Sequence, residues 1–63
     1  MLQPKQFRVD AKLNNNPQVM IGAIVMAHDV DEARTLATAL FRELHLDDAV
    51  AALPKATIKL AVG

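Results

Sequence analysis

Val19-Met20-Ile21-Gly22-Ala23-Ile24-Val25-Met26-Ala27 runs nine residues without a polar side chain, and His28-Asp29-Val30-Asp31-Glu32 follows it directly. The first segment is rich in β-branched residues and reads as a strand; the second carries a capping signature and reads as a helix start. No polar residue interrupts either side of the strand's pleat. A chain of 63 residues has room for one small core, so a strand that is oily on both faces predicts that its second face is covered by something besides that core.

On the amino-terminal side, residues 6–13 alternate strictly. Phe7, Val9, Ala11 and Leu13 share one face, and Gln6, Arg8, Asp10 and Lys12 the other, the period of a half-buried strand. Asn14-Asn15-Asn16-Pro17-Gln18 then supplies turn chemistry, since asparagine tolerates left-handed backbone and proline interrupts strand pairing. Strands over about 6–13 and 19–27 therefore form a β-hairpin.

On the carboxyl side, Asp29 is the expected N-cap, with Glu32 three residues on in capping-box spacing. The helix is expected over about 30–46, with Val30, Ala33, Leu36, Ala37, Leu40, Phe41 and Leu44 as one stripe facing the sheet. Asp47-Asp48 reads as a fresh cap for a short helix over about 48–53, which Pro54 ends. A last strand over about 55–62 turns Ala56, Ile58, Leu60 and Val62 inward, with Lys55, Thr57, Lys59 and Ala61 outward.

The fold class is α+β: a single small ββαβ domain over residues 1–63, a three-stranded sheet with one amphipathic helix on one face. Two strand orders fit equally. In 2-1-3 the oily strand is an edge whose unpaired backbone invites a second copy, giving a continuous six-stranded sheet in a dimer. In 1-2-3 it is central.

Composition narrows the chemistry. There is no cysteine, which excludes disulfides, thiol catalysis and cysteine-rich zinc sites. The nine-residue apolar run is far short of the roughly 20 residues that span a bilayer, and residues 1–6 lack the apolar core of a signal peptide, so we expect a cytoplasmic protein with no membrane partner. Seven acidic and seven basic residues cancel, yet the face assignments separate them. Arg8, Lys12, Lys55 and Lys59 fall on the outer sheet face against Asp10, while six acids gather on the helix and its caps.

Candidate sites follow from these assignments. Met20, Gly22, Ile24 and Met26 are the preferred outward residues of the second strand and the candidate interface, for contiguous exposed apolar surface is uncommon on monomers and methionine suits adaptable contacts. Flanking Lys and Arg stems covering Ile24 would be the plain structural alternative. Arg8, Lys12, Lys55 and Lys59 are candidate phosphate contacts. Both aromatics, Phe7 and Phe41, point to the core, which leaves none to stack a base.

No catalytic, cofactor or metal site emerges. His28 and His45 lie about 25 Å apart at 1.5 Å per helical residue, Asp29 and Glu32 are occupied in capping, and Thr35 and Thr38 have no evident general base. The leading expectation is a non-catalytic interaction or regulatory module, a homodimer or higher oligomer that meets itself or another protein through its sheet. A nucleic-acid-binding protein is the alternative, and an enzyme active only at a subunit interface the third.

Overall fold

A computed structural model of the chain describes residues 3–61. The element order is β1 (Lys5–Lys12), β2 (Met20–Ala27), α1 (Val30–Glu43), α2 (Asp47–Ala52), a 3₁₀ turn (Leu53–Lys55) and β3 (Thr57–Leu60). The ββαβ, α+β architecture is the expected one. Val62, expected inward, lies outside the described residues.

The strand order is β2-β1-β3, with both pairs antiparallel. β1 is therefore central. Its inner residues Phe7 and Val9 pair with Val25 and Ala23 on one side and with Leu60 and Ile58 on the other. β2 pairs with β1 residue for residue from Lys5↔Ala27 to Lys12↔Met20, without a bulge.

The hairpin turn closes through three backbone bonds: Leu13 N–H donates to the Val19 carbonyl (3.2 Å), Asn16 N–H to Leu13 (3.3 Å) and Val19 N–H to Asn16 (2.9 Å). None of the asparagines takes the left-handed conformation expected of them; His45 is the only non-glycine residue with positive φ among those described. Val19, expected in the core, sits outside the strand in this turn and is 40% exposed.

Asp29 caps α1 as expected. Its Oδ1 accepts the Glu32 N–H at 2.7 Å. Glu32 reaches back one residue further than a standard capping box, accepting the His28 N–H at 3.2 Å while its carboxylate lies 3.0 Å from His28 Nδ1. Asp31 and Glu32 in the first turn also suit the helix dipole.

The helix ends at Glu43, three residues before the expected Leu46. The cause is a Schellman turn. His45 N–H donates to the Arg42 carbonyl (3.0 Å) and Leu46 N–H to Phe41 (2.8 Å), which requires left-handed backbone at His45, φ 58°. Leu46 then packs on the core beside Phe41, the apolar contact that accompanies this motif.

The α2 region differs from expectation at both ends. Asp47 and Asp48 do not cap α2: Leu46 is its N-cap, no side chain caps it, and both aspartates lie in its first turn, where Asn15 Nδ2 donates to Asp48 Oδ2 at 3.3 Å. Pro54 does not stop the chain's helical course, because its fixed φ suits the start of the 3₁₀ turn that carries on to Lys55. β3 consequently begins at Thr57 and Lys55 stands off the strand.

The core is narrow. Phe7, Val9, Ala11, Ala27, Ala33, Ala37, Phe41, Ala49, Ala52 and Leu53 are buried, and six of these ten are alanine. Within α1 only the i, i+4 ridge Ala33-Ala37-Phe41 is buried. Small side chains at 33 and 37 let the helix approach the sheet closely. Val30, Leu36, Leu40 and Leu44, expected to face the sheet in the same stripe, are 38–57% exposed. No helix of the described residues is long and apolar enough to cross a membrane.

Candidate interaction surface

β2 is an edge strand, and the hydrogen-bond alternation fixes which of its backbone groups are free. Leu13 N–H bonds to Val19, so in an antiparallel pair the residues at 21, 23, 25 and 27 turn their N–H and C=O toward β1. Met20, Gly22, Ile24 and Met26 turn theirs toward the open edge. The far side of β1 agrees: Gln6, on the opposite alternation, accepts the Ala61 N–H at 2.8 Å.

The same four residues project from the outer sheet face. Met20, Ile24 and Met26 are 53%, 53% and 55% exposed, whereas Ile21, Ala23 and Val25 are half-buried against the core. Gly22 also keeps its neighbour in place. A Cβ there would lie 3.0 Å from Asp10 Oδ1, directly across the pair.

The two edges of the sheet differ. β3 is four residues long and carries Lys59 on its outer face, features that deter pairing with another chain. β2 is eight residues long and has no charge, no proline and no bulge. None of the usual edge protections is present.

The four basic candidates do not form one patch on the sheet. Arg8 and Lys59 are paired neighbours, and Lys12 lies further along β1. Arg8 is already engaged, with Nε 3.2 Å from Asp10 Oδ1. Lys55 lies on the 3₁₀ turn, and a groove of about 360 Å³ between hairpin and turn has both Lys12 and Lys55 on its walls, together with Asp10. A carboxylate thus shares the space that any phosphate would enter.

Several polar groups of α1 and the turn before it have local partners, whereas the buried Arg34 Nε has none. Thr35 and Thr38 hydroxyls donate to the Asp31 and Arg34 carbonyls one turn back (3.1 and 2.8 Å), and His28 pairs with Glu32. No cluster of three His, Asp or Glu among the described residues is arranged to hold a metal ion.

Leu36 and Leu40, expected in the core, are instead exposed on the helix. The signal was present in the width of the stripe: residues 33-37-41 and 36-40-44 are two parallel ridges, and one narrow contact buries only one of them. Compared with known proteins, the chain matches no family model, no curated protein and no solved structure.

Proposed function

We propose that the protein is a non-catalytic interaction or regulatory module of the cytoplasm, which works as a homodimer or higher oligomer built through β2. One observation carries this reading: the β2 edge offers the free backbone of four residues, Met20, Gly22, Ile24 and Met26, on a long strand with no protection. Antiparallel pairing of two β2 strands joins two three-stranded sheets into one of six strands.

The distribution of apolar side chains supports it. Among the described residues most buried hydrophobics are alanines, while nine large ones, among them Met20, Ile24, Met26, Leu36 and Leu40, are exposed. A chain of 63 residues buries about 60% of its unfolded surface, so association is a direct route to added stability. Phosphate contact is the weaker reading, given that Asp10 sits beside Arg8 and Lys55 lies off the sheet.

Sedimentation equilibrium across a concentration series tests the proposal. A mass rising to that of a dimer, with association that holds or strengthens as salt is added, is expected of an apolar, backbone-paired interface. Ile24→Lys should yield a monomer with unchanged helix content by circular dichroism. A wild-type monomer at the highest concentration would rule the reading out, and self-association that falls steeply with salt would move it to the basic residues.

A further inference from the structure

A right-handed β2–α1–β3 crossover turns the α1 flank that carries Leu36 and Leu40 toward the β2 edge, and we infer that this flank packs against the same flank of a second copy, forming the second layer of the dimer. The inference rests on the β2-edge reading above and adds a helix contact to it.

Three observations place the flank. β2 and β3 both run antiparallel to β1, so the β2–α1–β3 connection is a crossover past one strand. Made right-handed, such a crossover turns the Leu36–Leu40 flank toward β2 and the Arg34–Thr38 flank toward β3. Burial agrees: Arg34 and Thr38 are half-buried, and α1 contacts the α2 and 3₁₀ segments that lead to β3, whereas Leu36 and Leu40 remain 39% and 38% exposed.

The spacing also fits. α1 has more contact with β2 than with β1 or β3, which favours an axis over the β1–β2 half of the sheet. With strands about 4.8 Å apart and a two-fold axis midway between the two β2 strands, that axis stands about one strand spacing from the two-fold. The two helices then lie about 10 Å apart and antiparallel, at the distance where helices pack directly. An edge-only contact would leave a slot between the helices with apolar walls.

The second copy is the fitting occupant because the two-fold that pairs β2 with β2 necessarily brings these flanks face to face. No other partner is required to cover them.

The chain has no cysteine, so single thiols report directly on proximity. Leu36→Cys, Leu40→Cys and, on the solvent side of the helix, Thr35→Cys are each treated with a short bis-maleimide. We expect covalent dimer from Leu36→Cys or Leu40→Cys to form about tenfold faster or more than from Thr35→Cys, reflecting the high effective concentration of paired thiols. A second measurement guards against misfolding: Leu36→Gln with Leu40→Gln should keep the wild-type circular dichroism and dissociate at about tenfold lower dilution or less. A dimeric wild type in which all three thiols couple at one slow rate, and the glutamine variant associates like wild type, would overturn the helix contact and leave the β2 edge standing. A monomeric wild type would overturn both.

Discussion

Asp10 Oδ1 stands 3.0 Å from the position that a Cβ on Gly22 would occupy, and the same oxygen lies 3.2 Å from Arg8 Nε. Glycine at this point of β2 leaves the carboxylate its place beside the arginine, and a Cβ would displace it by a few tenths of an ångström. Glycine in a strand costs about 0.5–1 kcal/mol relative to alanine, and an exposed ion pair contributes about 0–1 kcal/mol. The two effects oppose each other at one site.

Gly22→Ala alone should therefore change the urea unfolding free energy by less than about 1 kcal/mol. In an Asp10→Ala background, where the crowding oxygen is gone, the same substitution should stabilise by about 0.5–1 kcal/mol. An equal effect in both backgrounds would show that Asp10 does not feel residue 22.

Removing the α1 cap has a defined cost. Asp29 Oδ1 accepts the Glu32 N–H at 2.7 Å, and Asp29→Ala should lower stability by about 1 kcal/mol, with Asp29→Ser retaining most of it. Urea denaturation of the two variants makes the comparison. If serine fares no better than alanine, the hydrogen bond is not the source of the loss.

His45 holds φ 58° to close the Schellman turn, a conformation that costs an L-residue about 1–2 kcal/mol. His45→Gly should raise the unfolding free energy by about 1 kcal/mol. β-branched His45→Val should lower it. A destabilised glycine variant would indicate that the imidazole itself makes a stabilising interaction.

These residues also mark where the sequence was legible. The alternation through Gln6–Leu13 and the Asp29–Glu32 spacing each rest on a short-range physical rule, and β1 and the α1 start fall within a residue of expectation. The end of α1 was not legible, because histidine is an uncommon occupant of a left-handed C-terminal position and apolar spacing continues through Leu44. Strand order was equally out of reach: β2-β1-β3 and β1-β2-β3 bury the same faces and differ only in which strand the returning chain joins.

The outward set Met20, Gly22, Ile24 and Met26 was readable from the β-branched residues at 21 and 25, which suit the side that meets the helix. That these residues also own the free edge backbone depends on pairing phase, which composition does not carry. Leu36 and Leu40 were misassigned because apolar spacing does not show how wide a face the sheet covers, and only the Ala33-Ala37-Phe41 ridge is buried.

Amide hydrogen exchange at Met20, Gly22, Ile24 and Met26, followed by NMR in dilute and in concentrated protein, reads the pairing of β2 with β2 residue by residue. In a lone chain these N–H groups face solvent along the open edge of β2. Pairing of two β2 strands predicts that their exchange slows with rising concentration, while Ile21, Ala23 and Val25, already bonded to β1, change far less. Rapid exchange at Gly22 and Ile24 in a sample whose mass is that of a dimer would contradict it, and would place the interface elsewhere on the molecule.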